Sequence, residues 1–191
     1  MGLPARNARV SLVVDRDHYD ELVLKTIAGA RTSVWIATAN VKEMMVEAPI
    51  GTVARAKGRY LSILDTFDDL SKRGVEIRIL HAGTPSRAFR ARLGSKRKIA
   101  RFEMRQCPRV HLKVIAVDGA ALYLGSANFT GAGLGAKNDN RRNFEMGILT
   151  DDEVLLDRSQ ERFERIWSGK ECGSCKLRGE CAKPIDTLTR R

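Results

Sequence analysis

Two short polar patterns in the middle of the chain could do chemistry on a phosphate. His111 and Lys113 are two residues apart, and so are Ser126 and Asn128. Residues two apart in a β-strand project from the same face, so each pair would act together. The imidazole can attack or donate a proton, and the ammonium, hydroxyl and carboxamide can hold oxyanion charge. The pattern therefore predicts phosphoryl chemistry, and no carboxylate cluster for a catalytic divalent metal accompanies it.

The complete string resembles the signature of the phospholipase D superfamily. That signature is His-x-Lys-x4-Asp followed, after six residues, by Gly-Ser-x-Asn, and this sequence matches every defined position. The match covers residues 110–128 and extends to residues 143–145, Asn-Phe-Glu. The matched positions are His111, Lys113, Asp118, Gly125, Ser126 and Asn128. The resemblance implies a phospholipase D-like α/β fold with one motif copy per chain.

The resemblance also implies a role for each polar side chain of the motif. His111 would attack phosphorus to give a phosphohistidine intermediate, or would protonate the leaving group. Lys113 and Asn128 would bind the non-bridging phosphate oxygens, and Ser126 would hydrogen-bond within the site.

Other positions receive supporting roles from the same resemblance. Asp118 would close a turn rather than touch substrate, and Gly125 belongs to the structural part of the motif. Glu145 matches the downstream acidic residue that orients an active-site histidine. Residues 131–140 would form a glycine-rich loop at the rim of the site, a candidate substrate gate.

One motif copy supplies one histidine, whereas the covalent mechanism uses two. One acts as nucleophile, and the other as acid and then as base. His18 and His81 lack a neighbouring Lys or Gly-Ser-x-Asn and are expected to be structural. An isologous dimer would bring two copies of His111 together across its twofold axis. We therefore expect a homodimer with one composite site and no catalytic divalent metal.

The charge distribution favours one class of phosphodiester. The chain has 34 Lys+Arg against 23 Asp+Glu, a formal charge of +11, and a basic run leads into His111. The candidate nucleic-acid-binding residues are Arg87, Arg90, Arg92, Lys96, Arg97, Lys98, Arg101, Arg105, Arg109, Arg141 and Arg142. A DNA or RNA backbone matches such a run, which favours an endonuclease. The alternatives are a lipid phosphodiesterase on an anionic surface and a catalytically idle nucleic-acid-binding module on the same fold.

A cysteine array near the C-terminal end of the sequence points to a metal. Cys172, Cys175 and Cys181 form a C-x2-C-x5-C pattern, and Cys107 is the only other cysteine. The spacing resembles the iron–sulfur staple of the MutY/endonuclease III glycosylases, which implies a 4Fe–4S cluster. Four thiolates fit a structural zinc site equally well, and unmetallated thiols are the third reading.

The elements that would position these residues alternate between helix and strand. Helices are predicted over residues 20–30, 59–73 and 152–168, and strands over 33–39, 75–80, 110–117, 121–126 and 144–150. Asp118-Gly119 predicts a hairpin turn, and Gly74 and Gly169 predict helix ends. Segments 41–58 and 84–105 receive no assignment. An α/β fold with a mixed sheet between helices follows.

Length and composition are those of an ordinary folded domain. A chain of 191 residues with 43% hydrophobic and 30% charged residues can bury a core, which excludes global disorder. Residues 1–169 are expected to form the catalytic domain, and residues 170–191 a metal-binding tail joined to it by Cys107. Apolar runs are too short for a transmembrane segment, and the first residues lack a signal-peptide core. We therefore expect a cytoplasmic protein, in which cysteines are thiols or metal ligands.

Overall fold

The β-rich segments at the centre of the chain pair into one large sheet. The computed structural model describes residues 5–48, 51–96 and 98–188. The strands are β1 (Val10–Val14), β2 (Ser33–Thr38), β3 (Met45–Glu47), β4 (Tyr60–Ser62), β5 (Glu76–His81), β6 (Phe102–Gln106), β7 (Val114–Val117), β8 (Ala121–Gly125) and β9 (Met146–Thr150). The helices are the π-helix α1 (His18–Ile27), the one-turn α2 (Val53–Ala56), α3 (Ile63–Lys72), α4 (Arg87–Gly94) and α5 (Glu153–Trp167).

Seven strands form one mixed sheet in the order β1-β9-β8-β7-β2-β5-β6. The strands β2, β5 and β6 run parallel, and the other neighbouring pairs are antiparallel. A separate antiparallel pair is formed by β3 and β4. The predicted α/β fold with a mixed sheet is confirmed.

The strand directions collect several chain segments at one edge of the sheet, which we call the site edge. The C-terminal ends of β1, β2, β5, β6 and β8 lie there, together with the first residues of β7 and β9. His111 and Lys113 precede β7, Ser126 and Asn128 follow β8, and Glu145 precedes β9. The topology alone therefore brings the predicted site residues to one edge.

Helices cover both faces of the sheet. On one face, Phe67 of α3 stacks on Phe129 with ring centres 5.9 Å apart, in the larger core cluster. On the other face, Phe163 of α5 stacks on Trp35 at 5.2 Å, and Ile185 from the C-terminal tail is buried in the same cluster. Burial of each large apolar side chain contributes about 1.5–3 kcal/mol. The tail is therefore packed onto the domain through Ile185.

The helix predicted over residues 59–73 begins four residues late, at Ile63. Residues 60–62 instead pair with β3 as β4. Ser62 then caps the helix: its hydroxyl accepts from the Leu64 N–H at 3.1 Å, and the Asp65 carboxylate accepts from the Ser62 N–H at 2.9 Å. This capping box fixes the helix start, which apolar spacing alone had placed too early.

The strand predicted over residues 110–117 begins only at Val114. The Val110 N–H closes a turn by donating to the Cys107 carbonyl at 3.0 Å, which ends the extended pairing before His111.

The helix predicted over residues 20–30 is the π-helix His18–Ile27. The segments left unassigned contain β3, α2, α4 and β6, and β1 was not predicted. Within the described ranges, no helix is long and apolar enough to span a membrane.

The predicted hairpin turn is present between β7 and β8. Asp118 and Gly119 both have positive φ, 57° and 63°, as a tight hairpin of this kind requires. The Asp118 carboxylate accepts from the backbone N–H groups of Arg31, Thr32 and Ser33 at 2.7–3.0 Å, and from the Thr32 hydroxyl at 3.0 Å. Burial opposes ionisation, but these hydrogen bonds outweigh it and lower the pKa of Asp118. The carboxylate ties the turn to the start of β2.

Replacing Asp118 with Asn tests this anchor. Asn tolerates positive φ, so the turn persists, but the charged acceptor is lost, and the free energy of unfolding at pH 7 should fall by about 1–2 kcal/mol. Because the pKa of Asp118 is lower in the folded than in the unfolded chain, its contribution is complete above the unfolded pKa and is lost as the pH falls through the folded pKa. The difference between Asp118→Asn and the wild type in urea unfolding should therefore shrink below about pH 4.

The matched control is Asp157→Asn, which removes an exposed carboxylate on α5. This change should alter the free energy of unfolding by less than about 0.5 kcal/mol. Equal effects of the two substitutions at pH 7 would show that the Asp118 carboxylate does not anchor the turn.

Candidate active site at the site edge

His111 and Lys113 lie on the segment that enters β7. The Gly125 N–H donates to the Lys113 carbonyl at 3.2 Å, which extends the pairing of β7 and β8 by one residue. The Lys113 ammonium donates to the His111 carbonyl at 3.0 Å. The His111 side chain is exposed, and within the described residues its ring makes no hydrogen bond. The imidazole is therefore open to an incoming phosphate.

Ser126 and Glu145 form a hydrogen-bonded pair across β8 and β9. The Ser126 hydroxyl donates to Glu145 Oε2 and accepts from the Met146 N–H at 3.1 Å. Glu145 Oε1 accepts from the Asn143 amide at 3.0 Å, and the Glu145 N–H donates to Asp15 at 2.9 Å. Glu145 is thus fixed from three directions inside its own chain. In the described part of the chain, no hydrogen bond joins it to His111.

The Asn128 side chain is oriented by the loop that follows β2. Its Oδ1 lies 3.2 Å from the Thr38 hydroxyl and 3.2 Å from the Asn40 backbone N–H. With the carbonyl oxygen held by these donors, the Nδ2 amide is the end available to an anion. No local pattern points to Thr38 or Asn40, because both lie about ninety positions before Asn128.

The glycine of the Gly-Ser-x-Asn motif is required by a tyrosine that crosses beneath it. A Cβ at Gly125 would lie 2.2 Å from the Tyr123 hydroxyl oxygen, and one at Gly147 would lie 2.4 Å from the Tyr123 ring. Two glycines on paired strands therefore make room for one buried ring. A larger residue at either position would displace the strand that leads into the site.

The Tyr123 hydroxyl connects a buried histidine to the site backbone. His18 is fully buried, and its Nδ1 donates to the Asp15 carbonyl at 3.1 Å, since a carbonyl can only accept. Nε2 of the neutral ring then accepts from the Tyr123 hydroxyl at 2.9 Å, and the tyrosine oxygen accepts from the Ala127 N–H at 3.2 Å. His18 is structural, as predicted, and it supports the residue between Ser126 and Asn128.

Burial keeps this relay neutral. It lowers the pKa of His18 and raises the pKa of Tyr123 to about 12. At neutral pH the imidazole is therefore an acceptor at Nε2 and the phenol is a donor, as the three hydrogen bonds require.

Tyr123→Phe should break the relay while keeping the ring. The Ala127 N–H and His18 Nε2 would lose their partners, and the free energy of unfolding should fall by about 1–3 kcal/mol. Amide hydrogen exchange measured at Ala127 should accelerate by more than the global loss of stability explains. Tyr60→Phe, at a tyrosine that is 57% exposed, is the control and should change neither quantity. Unaltered protection of the Ala127 amide would rule out the relay.

The glycine-rich segment over residues 131–140 is only partly free to act as a gate. Leu134 is fully buried, and the Gly133 N–H donates to the Thr130 hydroxyl at 2.9 Å. Exposure begins at Lys137 and continues to Arg141. The first half of the predicted gate is anchored in the core, and its exposed part is confined to residues 137–141.

Part of the predicted basic set lies at the site edge. Arg87 and Arg90 are exposed on α4, which follows the C-terminal end of β5. Arg141 is exposed on the rim loop. Lys42 and Lys137 are also exposed at this edge, and sequence reasoning missed them. Lys42 belongs to the loop after β2, and its N–H donates to the Phe129 carbonyl at 3.0 Å.

Other members of the basic set are engaged within the fold. Arg92 and Lys96 pair with Asp65 at 2.9 and 2.7 Å. The Arg105 side chain, only 13% exposed, pairs with Glu103 at 2.7 Å and lies over the Trp167 ring. Arg142 is also engaged, in an ion pair with Asp139 at 2.8 Å.

Two further members lie away from the site edge. The Arg101 carbonyl accepts from the Ile77 N–H at 2.7 Å, at the end of the sheet where β5 and β6 begin. Lys98 lies three residues before Arg101 in the sequence. The basic run therefore does not place all of its charge beside His111. Arg97 lies outside the described residues.

The four cysteines line a common cavity. Cys107 follows β6 and the other three lie on the tail, yet all four border the same space. All four are free thiols. Arg109, a predicted nucleic-acid ligand, lines the same cavity. Across the described ranges, no three His, Cys, Asp or Glu side chains are grouped closely enough to hold a single metal ion.

Comparison with known proteins finds similarity both in sequence and in fold. A family profile described as "Cardiolipin synthase, PLD-like domain" matches residues 23–167, well over half of the chain. Mitochondrial cardiolipin hydrolase of Danio rerio is 30% identical over 114 residues, which are 58% of this chain and 48% of that protein. The chain thus spans about half the length of the curated relatives it matches.

Two solved structures share the fold at low sequence identity. NucT from Helicobacter pylori has a TM-score of 0.60 and 19% identity, covering 83% of this chain and 95% of that chain. Nuc from Salmonella typhimurium, described as a phospholipase D family member, has a TM-score of 0.57 and 23% identity, covering 85% and 95%. At these identities the likeness is one of architecture.

Proposed function

The chain belongs to the phospholipase D superfamily, and on that premise we propose that it is a phosphodiesterase that cleaves nucleic acids as an endonuclease. The observation that carries the proposal is the full motif set gathered at one edge of the sheet. His111 is open, Asn128 is oriented by two donors, and Ser126 is held by Glu145. A retained set of this kind favours an active enzyme over an idle binding module.

The chemistry follows from these side chains. A ring nitrogen of His111 attacks phosphorus, so that a P–N bond forms as the P–O bond to the leaving alcohol breaks. A second imidazole gives that alcohol its proton and then accepts a proton from the water that cleaves the P–N bond. The Lys113 ammonium and the Asn128 amide donate to the non-bridging oxygens and balance their charge. No step calls for a divalent metal.

In this proposal the second imidazole comes from another copy of the chain, because the other two histidines of this sequence are engaged within the fold. His18 is bonded at both ring nitrogens. His81 is buried, and its Nδ1 donates to the Gly83 carbonyl at 2.9 Å. Neither ring can approach a phosphate bound at His111. A homodimer with the two copies of His111 facing each other supplies the missing group.

Three exposed apolar side chains on or next to the paired strands β1 and β9 suit such an interface. Phe144, between Asn143 and Glu145, is 94% exposed, and Met146 is 58% exposed. Leu12, on the neighbouring edge strand β1, is 62% exposed. Large apolar side chains that are exposed together mark contact surfaces more often than they mark plain solvent-facing surface.

A polyanionic substrate is favoured by the cations that remain free at the site edge. Arg87, Arg90, Lys42, Lys137 and Arg141 are all exposed there. Backbone phosphates on both sides of the scissile bond can reach such a distributed set, and this mode of binding carries little base specificity.

The second candidate is a lipid phosphodiesterase. It is favoured by the relative from Danio rerio, whose name gives cardiolipin as its substrate. Cardiolipin also carries phosphodiesters, so the same motif chemistry applies. The exposed Phe144 and Met146 would then contact a lipid surface.

Hydrolysis assays in EDTA on DNA, RNA and cardiolipin vesicles separate these functions. We expect EDTA-resistant cleavage of nucleic acid by the wild type, slow or absent cleavage of the lipid, and a loss of about three orders of magnitude or more in His111→Ala. Faster hydrolysis of cardiolipin than of nucleic acid would favour the lipid enzyme. Binding of nucleic acid without cleavage of any substrate would favour the idle module.

Mixing the wild-type protein with the His111→Ala variant tests the composite site. If each active dimer needs two intact copies of His111, an equimolar mixture after subunit exchange contains about a quarter wild-type dimers, and its activity should fall to that fraction of an all-wild-type sample at the same total concentration. Activity at half the wild-type value would mean that each chain works alone.

Two double substitutions in the same basic run test which edge binds nucleic acid. Arg87→Ala with Arg90→Ala removes two exposed cations near the site, whereas Lys98→Ala with Arg101→Ala removes two away from it. We expect only the first pair to weaken binding and to reduce the slope of log K against log salt, by about two. Binding measured by fluorescence anisotropy from low to moderate salt gives both quantities. Equal losses from both pairs would contradict binding at the site edge.

A further inference from the structure

Four thiols that are far apart in sequence border one cavity beside the site edge. Cys107 directly follows β6, whereas Cys172, Cys175 and Cys181 lie beyond α5. The tail is brought there by packing, because Ile185 is buried in the cluster that also contains Phe163, Ile166 and Trp167. The fold therefore gathers every cysteine of the chain into one place.

The cavity has apolar walls and a cationic rim. Val110, Ile166 and Ile185 line it and are buried. Arg109 and Arg178 line the cavity as well, and Arg178 pairs with Asp186 at 2.7 Å. Guanidinium groups beside an apolar pocket of thiols favour a centre with net negative charge, and a metal bound by four thiolates has that charge.

Two kinds of metal centre take four cysteine ligands, a zinc ion and a 4Fe–4S cluster. A zinc ion held at about 2.3 Å by each sulfur requires the sulfurs to crowd around one point. In the part of the chain that the structure describes, no three ligating side chains are grouped in that way. A 4Fe–4S cluster also takes four cysteine ligands, and these four residues border one cavity.

We propose that Cys107, Cys172, Cys175 and Cys181 bind a 4Fe–4S cluster that fixes the tail against the segment leading into His111. The Cys107 N–H donates to the His81 carbonyl at 2.8 Å, and its carbonyl accepts from the Val110 N–H at 3.0 Å. A ligand bond at Cys107 would therefore hold the turn that delivers His111, four residues on. The cluster supplies no atom to the reaction, so its contribution is to order and position.

Metal analysis of the full chain, purified without oxygen, tests the proposal independently of the enzymatic assay. We expect iron and acid-labile sulfide in equal amounts, about four of each per chain, and a brown protein whose visible absorption bleaches on reduction with dithionite. A colourless protein with one zinc per chain would overturn the cluster in favour of zinc. Four titratable thiols without metal, in protein isolated and assayed anaerobically, would overturn the metal site altogether.

Substitutions then assign the ligands. Cys172→Ser with Cys175→Ser should abolish the visible absorption, and Cys107→Ser should reduce it, whereas Ser174→Ala, at an exposed position between two of the ligands, should leave it unchanged. His111→Ala should keep its full iron content, which separates the cluster from the proposed hydrolase chemistry. Full iron content in Cys107→Ser would exclude Cys107 as the fourth ligand.

Hydrogen exchange reports on the positioning role. Backbone amides over residues 107–113 should exchange faster in the variant that lacks the cluster than in Ser174→Ala, while amides in β2 and β5 remain protected. Unchanged exchange over residues 107–113 in a protein shown to have lost its iron would refute the link between the tail and His111.

Discussion

The geometry of the site depends on the buried hydroxyl of Tyr123. The ring lies under Gly125 and Gly147 with no room for a Cβ at either, and its oxygen bonds to His18 and to the Ala127 N–H. A buried polar group must be satisfied, because leaving it unpaired costs about 1–3 kcal/mol. The strand end that carries Ser126 and Asn128 is therefore held by the same interaction that satisfies the core. The hydrogen bonds of the Tyr123 hydroxyl therefore serve both the stability of the core and the geometry of the site.

The sequence was sufficient to predict the features that depend on residues close together in the chain. The spacing of His111 and Lys113 and the turn at Asp118-Gly119 each depend on a few adjacent residues, so the motif, the hairpin and the α/β class could be inferred before the structure was known. The partners of Asn128 could not, since Thr38 and Asn40 meet it only after β2 and β7 have paired. Strand β1 escaped detection because most of its residues are exposed, which weakens the alternation that marks a strand.

For the basic run, too, the sequence shows the charges but not the contacts that the fold gives them. Its composition indicated a polyanionic partner, but the sequence could not say which cations the fold would engage. Arg92 and Lys96 pair with Asp65, and Arg101 lies where β5 and β6 begin. Since an ion pair satisfies part of a cation's charge, the free cations at the site edge matter more than the total. Two of these, Lys42 and Lys137, lie outside the run altogether.

The pairing of β1 with β9 has a consequence for how the candidate site forms during synthesis of the chain. Val10 pairs with Thr150, and Asp15 accepts from the Glu145 N–H, so contacts between residues 130 to 140 positions apart complete the site. Such distant contacts form late, because closing a long loop must precede them. A growing chain on the ribosome therefore holds its motif hairpin before it holds Glu145 in place. The site should be complete only after β9 has left the exit tunnel, so the unfinished polypeptide carries the full signature without the assembled site.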